Sequence, residues 1–128
     1  MPRILIADDN SNVRRALRAL LEEDADWIVC GEAIDGGDAV VRAHNMKPDL
    51  IILDFQMPVM NGLQAAREIA KENPETPVLL CSAHLSTALL GEARRAGIRG
   101  AVSKSTSTEI IDGVRTLLRR ECFFPQVS

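Results

Sequence analysis

The fold follows from one central stretch of the chain, Leu50-Ile51-Ile52-Leu53-Asp54-Phe55-Gln56-Met57-Pro58-Val59-Met60-Asn61-Gly62. It opens with four apolar residues that show no alternation with polar ones, as is typical of a strand covered on both faces. The apolar run stops at an acid, Asp54, and a turn with Pro58 then leads to Asn61-Gly62. Proline, asparagine and glycine favour turns and helix starts. The stretch therefore predicts a buried strand, a tight turn and the first turn of a helix.

Similar apolar runs recur along the whole chain and alternate with amphipathic stretches. The five runs are 3–7, 27–33, 50–53, 78–81 and 100–102. This alternation predicts an α/β domain in which five strand and helix units form a single, doubly wound parallel sheet with right-handed crossovers. Ligands of such sheets bind outside the carboxyl ends of the strands. The candidate site is therefore expected where the apolar runs end.

The first and last amphipathic stretches have clear helical spacing. In the first, Val13, Ala16, Leu17, Leu20 and Leu21 share one face, while the arginines and glutamates fall mostly on the other. The last begins with Thr106-x-x-Glu109, which predicts a capping box. Weaker, alanine-rich patterns predict three further helices, at about 37–46, 62–72 and 87–96.

Composition limits the class of protein. With 128 residues, 46% hydrophobic and 26% charged, the chain is expected to be one globular domain. A net charge of −3 argues against a domain that binds nucleic acid through its phosphates. Three cysteines without a C-x-x-C pair predict buried thiols rather than a disulfide framework. No apolar run approaches the ~20 residues of a membrane span, so we expect a cytoplasmic protein without membrane contact.

Polar residues stand at the carboxyl ends of four of the five predicted strands. Asp8 and Asp9 follow the first strand, Asp54 the third, Ser82 the fourth and Lys104 the fifth. Three carboxylates at one rim repel one another unless a cation neutralises them, and Mg²⁺ is suited to an open shell of oxygen ligands. A lysine ammonium and a serine hydroxyl could bind a phosphoryl group. The pattern indicates phosphoryl chemistry.

Asp54 is the candidate nucleophile of this site. A carboxylate can form an acyl phosphate when a metal ion and a lysine stabilise the transferring group. The turn after Asp54 leaves the main-chain carbonyl of Gln56 free to face the metal ion.

Taken together, these motifs resemble the receiver domain of bacterial two-component response regulators. The matching positions are Asp8-Asp9, Asp54-x-x-Met57-Pro58-x-Met60-Asn61-Gly62, Ser82-Ala83 and Lys104. The resemblance implies a flavodoxin-like (βα)5 fold with strand order 2-1-3-4-5, the order known for chemotaxis receivers. It covers nearly the whole chain, with a domain at 1–121 and a C-terminal tail at 122–128.

The resemblance also implies a role for each site residue. Asp54 would accept the phosphoryl group from a sensor histidine kinase, and Asp9 would bind Mg²⁺ directly, with Asp8 acting largely through water. The Gln56 carbonyl would complete the protein ligands. Ser82 would be the switch hydroxyl and Lys104 the partner of the phosphate. Such a domain is a switch that catalyses only its own phosphorylation and dephosphorylation, not a turnover enzyme.

Two positions depart from the common receiver pattern. Ala101 stands where many receivers have an aromatic residue that turns inward on activation, so a backbone or helix-four rearrangement is expected instead. Ser105 stands where many have proline, and together with the tail it is more like the nitrate-regulator (LuxR-type) subfamily. That subfamily regulates transcription through a helix-turn-helix DNA-binding domain, which this chain lacks. A homodimer interface is expected around helix four, strand five and helix five.

Several alternatives stay open from the sequence. The chain could be a stand-alone receiver, or a pseudo-receiver that acts as an interaction module without phosphorylation. An Asp-nucleophile phosphohydrolase commonly has a second Asp two residues after the first, where this chain has Gln56. A nucleotide or flavin module lacks support because no G-x-G-x-x-G or Walker motif is present. His44 is expected on the surface, and His84 with Gln56 is expected to affect the access of water to the site.

Overall fold

The computed structural model describes residues 1–23 and 26–126 and contains five strands that alternate with five helices. The elements are β1 (Arg3–Ala7), α1 (Ser11–Glu22), β2 (Ile28–Ala33), α2 (Gly36–Met46), β3 (Leu50–Asp54), α3 (Gly62–Glu72), β4 (Val78–Ser82), α4 (Thr87–Arg95), β5 (Gly100–Ser103) and α5 (Ser107–Leu118). The predicted elements are thus confirmed, with ends that differ by one residue at most. None of the described helices is long and apolar enough to cross a bilayer.

The five strands form one parallel sheet in the order β2-β1-β3-β4-β5. This confirms the flavodoxin-like fold and the strand order that the resemblance implied. In the register of the two central strands, Ala7 lies opposite Leu53. The residues that follow them, Asp8 and Asp54, are therefore brought to the same edge of the sheet.

Helices cover both faces of the sheet, which explains why the central strands are apolar on both sides. Leu5 and Ile51 pack under α2, α3 and α4, while Ile6 and Ile52 pack under α1 and α5. All five residues of β3 are buried, including its terminal acid. Because the whole strand is buried, the backbone at its end is fixed, and the position of the terminal side chain is fixed with it.

Polar N-cap residues begin most of the helices. The side chains of Asn10, Asp35 and Ser86 each accept hydrogen bonds from backbone N–H groups of the helix that follows. Asn61 does so in a reciprocal capping box with Gln64 and is thus the N-cap of α3. Each cap satisfies donors that the first helical turn leaves free.

The capping box predicted at Thr106 is wrong. Thr106 is the N-cap of α5, but its side chain makes no cap hydrogen bond. Its ψ angle is 95°, whereas ψ is 161° at Ser86 and 174° at Asn61, which do cap their helices. The threonine hydroxyl is short, so this rotation of the backbone takes it out of reach of the third helical N–H.

Beyond α5 the chain returns along the outer edge of β5. The Phe123 N–H donates to the Arg99 carbonyl at 2.9 Å, and the Ala101 N–H donates to the Phe123 carbonyl at 2.9 Å. The next ring, Phe124, lies 4.2 Å below the guanidinium of Arg94 on α4. The described part of the predicted tail thus packs on the domain. The boundary at residue 121 stays a prediction, and Val127 and Ser128 lie outside the described residues.

The cysteines are unpaired, as expected, but only one of them is buried. Cys81 lies in β4, where burial raises the pKa of its thiol to about 12. Cys30 is half-buried and Cys122 is exposed. The prediction of three buried thiols is therefore wrong for Cys122, because the tail that carries it lies at the sheet edge rather than under a helix.

Candidate phosphoryl-transfer site

The centre of the candidate site is a pair of buried carboxylates, Asp8 and Asp54, which are 2% and 4% exposed. Each lies at the end of a central strand, and backbone hydrogen bonds hold its surroundings. The Asp8 N–H donates to the Ala33 carbonyl of β2, and the Phe55 N–H donates to the Cys81 carbonyl of β4. Both acids are therefore fixed by the sheet and not by flexible loops.

Asp9 joins this pair from the solvent side. Asp8, Asp9 and Asp54 each offer a carboxylate oxygen, and these oxygens all lie within 4.8 Å of one another. Oxygens in an octahedral Mg²⁺ shell are at most about 4.2 Å apart, because each lies about 2.1 Å from the ion. A hard, oxygen-only donor set at this spacing fits Mg²⁺ after a small adjustment of the side chains.

Lys104 lies between the two buried carboxylates. Its Nζ atom is 3.0 Å from Asp8 Oδ2 and 2.8 Å from Asp54 Oδ1, and the side chain is 30% exposed. The Lys104 backbone N–H donates to the Ser82 carbonyl at 3.1 Å, so the end of β4 anchors the lysine. The structure thus brings together all four charged residues that the sequence predicted for the site.

The electrostatics of the site follow from burial and from this ion pair. Burial raises the pKa of Asp54 above its ordinary value, and the charge of Asp8 adds to the rise, while Lys104 acts in the opposite direction. Burial lowers the pKa of Lys104, but its hydrogen bonds to Asp54 and Asp8 outweigh this effect and raise that pKa overall. Lys104 therefore keeps its positive charge beside the carboxylates.

The Ser82 hydroxyl is near the site but does not contact its charged groups. It donates to the His84 carbonyl at 2.9 Å, within its own loop. Ser82 is buried, and it lines the same cavity as Asp54 and Lys104. A rotation of its side chain would be needed for the hydroxyl to face a group bound at Asp54.

This cavity has a volume of about 400 Å³ and opens from Asp54 toward the start of α4. Gln56 and His84 line it, which is where a residue must lie to affect access of water to Asp54. The Gln56 backbone lowers the pKa of Asp54, against the effect of burial. The role of the Gln56 carbonyl as a metal ligand stays a prediction. His44 lies elsewhere, exposed on α2, where it contacts Glu72.

The turn after Asp54 explains the Asn61-Gly62 pair of the central stretch. The Gly62 N–H donates to the Phe55 carbonyl at 2.8 Å, which closes the turn. A Cβ atom at Gly62 would lie 2.6 Å from the Asp54 carbonyl oxygen. Only a residue without a side chain lets α3 begin this close to the backbone of the candidate nucleophile.

Sequence reasoning missed one contact with the site, made by Arg14 of α1. The helical pattern places Arg14 on the solvent face, but its side chain is 14% exposed and bonds to Glu32 of β2 and to the Asp8 carbonyl. A signal for it exists in the sequence, since Glu32 is a charged residue inside a predicted buried strand. Such a charge needs a partner.

Residues 4–115 match the response regulator receiver domain family. The match spans most of the chain, and it agrees with the sheet order and with the acidic rim described above. The chain belongs to this family.

The curated proteins similar to this chain include a transcriptional regulatory protein and a response regulator. The chain is 35% identical over 127 residues to the uncharacterized transcriptional regulatory protein YxjL of Bacillus subtilis and to the response regulator protein VraR of Staphylococcus aureus. These matches cover 98% of this chain but only 58% of YxjL and 61% of VraR. The chain therefore spans about three fifths of the length of these relatives.

Two solved structures show the likeness in three dimensions. A two-component response regulator of the LuxR family from Aurantimonas sp. superposes with a TM-score of 0.93 and 28% identity, over 96% of this chain and 89% of that one. The response regulator domain of Thermotoga maritima CheB gives a TM-score of 0.87 and 29% identity, over 93% and 97% of the two chains. Both superpose over nearly the full chain.

Proposed function

We propose that this domain accepts a phosphoryl group on Asp54 from a sensor histidine kinase and thereby works as a switch. The observation that carries the proposal is the position of Lys104, whose Nζ atom bridges two buried carboxylates at 3.0 and 2.8 Å. A structural ion pair needs only one carboxylate for each ammonium group. A second buried acid beside the first costs free energy unless further positive charge, such as a divalent cation, neutralises it.

Asp54 and Lys104 have different roles in phosphoryl transfer. An oxygen of Asp54 forms a bond to phosphorus while the bond from phosphorus to the kinase histidine breaks. Lys104 stays protonated and is placed to neutralise negative charge on the phosphoryl oxygens. The cavity beside Asp54 gives the donor a route to the carboxylate. Reaction of water at the same phosphorus would reverse the switch, so the domain catalyses only its own phosphorylation and dephosphorylation.

Asp8, Asp9 and Asp54, with the main-chain carbonyl of Gln56, would hold Mg²⁺. When bound, Mg²⁺ supplies positive charge that offsets the repulsion between the carboxylates and the incoming phosphoryl oxygens. Asp8 and Asp54 are well placed for this because both are buried and both already share a cation, Lys104.

The response to phosphorylation is proposed from the longer proteins to which this chain is similar. We infer that phosphorylation draws the Ser82 hydroxyl toward the phosphoryl group beside Lys104 and so changes the surface around α4, β5 and α5, where a homodimer would form. Since the relatives include a transcriptional regulatory protein that extends beyond this domain, DNA binding through a further domain in the cytoplasm is the proposed outcome.

Phosphorylation can be tested with acetyl phosphate and Mg²⁺, followed by the intact mass of the protein. The wild type should gain the mass of one phosphoryl group, and Asp54→Asn should gain none. Asp112→Asn, which changes an exposed acid on α5, is the matched control and should behave as the wild type. Chelation of Mg²⁺ should prevent the mass gain in every sample.

Each other outcome supports a different function. A wild type that gains no mass would show a pseudo-receiver that acts as an interaction module. Repeated hydrolysis of unrelated phosphoesters would show a phosphohydrolase. Equal labelling of Asp54→Asn and the wild type would move the acceptor to another residue.

A further inference from the structure

Arg14 holds the loop that carries two of the three acids. Its Nη1 atom donates to the main-chain carbonyl of Asp8 at 2.7 Å, and its Nε atom donates to Glu32 at 2.9 Å. Neither contact involves an acidic side chain of the site. The arginine therefore acts on the backbone at the point where β1 ends and the loop to α1 begins.

Glu32 fixes the guanidinium of Arg14 in place. It accepts from Arg14 Nε with one carboxylate oxygen and from Arg18 Nε with the other, both at 2.9 Å. It lies in β2 opposite Ile6, one residue before Ala33, whose carbonyl accepts the Asp8 N–H. Strand β2 thus holds both polar backbone groups of Asp8, the N–H directly and the carbonyl through Arg14.

These two contacts define the peptide planes on either side of Asp8. The carbonyl of Asp8 and the N–H of Asp9 belong to one planar unit, so fixing the carbonyl also fixes the direction in which the chain enters Asp9. Asp9 is exposed, and its side chain makes no hydrogen bond among those described for residues 1–23 and 26–126. The direction of its side chain therefore depends on the backbone.

We propose that Arg14 is a positioning residue for the Mg²⁺ site, held by Glu32 and acting through the backbone between Asp8 and Asp9. This inference rests on the proposed function, because it assigns Arg14 a part in binding the ion that the function needs. The planar fork of arginine can reach Glu32 and the Asp8 carbonyl at once in fixed directions, whereas a lysine offers one flexible ammonium.

The chain contains a matched control for this role. Arg18 lies one helical turn after Arg14 and bonds to the same carboxylate, but the contacts described for it are with Glu32 and Glu22 and not with Asp8. Arg14→Lys and Arg18→Lys therefore keep the net charge, alter the same helix and disturb the same glutamate. Only Arg14→Lys removes the guanidinium that donates to the Asp8 carbonyl.

The test measures binding of Mg²⁺ alone by isothermal titration calorimetry, together with unfolding in urea. We expect Arg14→Lys to raise the dissociation constant for Mg²⁺ about tenfold, as loss of an outer contact to a metal ligand does. Arg18→Lys should keep the wild-type constant at a similar loss of stability. Phosphorylation of Arg14→Lys by acetyl phosphate should need more Mg²⁺ for half of its maximal rate, and saturating Mg²⁺ should restore that maximal rate.

The outcomes separate this inference from the proposed function. If the wild type binds Mg²⁺ and Arg14→Lys binds it equally well, or if Arg18→Lys weakens binding as much, the positioning role is overturned and the proposed function stands. If the wild type binds no Mg²⁺, the proposed function fails and the role of Arg14 fails with it. A rate for Arg14→Lys that stays low at saturating Mg²⁺ would show damage to the fold instead of positioning.

Discussion

The strand ends that form the site fall into two unlike halves. The central half, at the ends of β1 and β3, carries Asp8 and Asp54, which are buried. The N–H groups of Asp8 and Phe55 donate to carbonyls of the neighbouring strands. The edge half, at the ends of β4 and β5, carries Ser82 and Lys104. There Lys104 is partly exposed, the Ser82 hydroxyl bonds only within its own loop, and β5 has four residues.

This difference suggests that the central half holds the acids in place and that the edge half moves when the site is phosphorylated. The acids of the central half are buried, and the backbone beside each one is hydrogen-bonded to a neighbouring strand, so they are placed before any ligand arrives. The edge half borders the returning tail, where the Ala101 N–H bonds to the Phe123 carbonyl. A movement of β5 or of the loop after β4 would therefore reach the surface without displacing the strands that carry the acids. Five substitutions follow from this comparison.

The largest effect is expected at Lys104. Its side chain joins the edge half to the central half, because its Nζ atom contacts both Asp8 and Asp54. Lys104→Met should slow phosphorylation by acetyl phosphate about 100-fold, since one charge-stabilising donor is commonly worth this much. The same change should tighten Mg²⁺ binding severalfold, because Lys104 competes with the ion for Asp8 and Asp54. Rates from intact mass and titration calorimetry would measure both, with the exposed Lys71→Met as control. Unchanged phosphorylation would contradict the assigned role.

Gly62→Ala should be the next most damaging change, and it tests the rigidity of the central half. The added Cβ would lie 2.6 Å from the Asp54 carbonyl oxygen, so the backbone must move, at a cost of about 3 kcal/mol. Urea unfolding measures this loss.

Gly97→Ala is the comparison at the edge of the sheet. Gly97 has φ of +85° and no atoms within 4 Å of an added Cβ, so only backbone strain of about 1 kcal/mol is expected. Equal losses for the two variants would remove the distinction between a packed centre and an open edge.

Phe123→Ala should loosen the tail while leaving the acids in place. The ring is half-buried against Gly113 and the α1 and α5 side of the core, so its removal should cost about 2 kcal/mol. Affinity for Mg²⁺ should not change. Cys122→Ala, an exposed neighbour, is the control for stability. Weaker Mg²⁺ binding by Phe123→Ala would show that the tail affects the position of the acids even in the unphosphorylated protein.

The fifth substitution, Glu32→Gln, should have a small effect that depends on pH. Burial alone would raise the pKa of Glu32, but hydrogen bonds from Arg18 and Arg14 outweigh it and lower that pKa. A lowered folded pKa stabilises the protein above the ordinary glutamate value of about 4.3, and the gain disappears as the pH falls through the folded pKa. The variant should therefore be about 1 kcal/mol less stable at pH 7.

Unfolding in urea from pH 7 to pH 3 would follow this difference. The gap between Glu32→Gln and the wild type should narrow below about pH 4, where the wild-type carboxylate begins to take up a proton. A gap that is constant over this range would mean that the charge of Glu32 contributes nothing to the fold.

The sequence by itself determined the order of the elements and the residues at the strand ends. Apolar runs, helical spacing and turn residues act within a few positions of one another, so they can be read along the chain. Parallel strands then place Asp8 and Asp54 at one rim whatever the details of packing. The predicted helix start at Asn61-Gly62 is confirmed for the same reason, since the Asn61 cap joins residues three positions apart.

Only the tertiary structure decided the contacts that join distant parts of the chain. The bridge from Lys104 to two acids, the bond from Arg14 to the Asp8 carbonyl and the pairing of Phe123 with β5 depend on where side chains and edges meet after folding. The failure of the cap at Thr106 has a related cause, because a backbone rotation at that residue overrode a favourable local sequence. Residue type specifies what a group can bind, but its partner is chosen by the packing of the whole sheet.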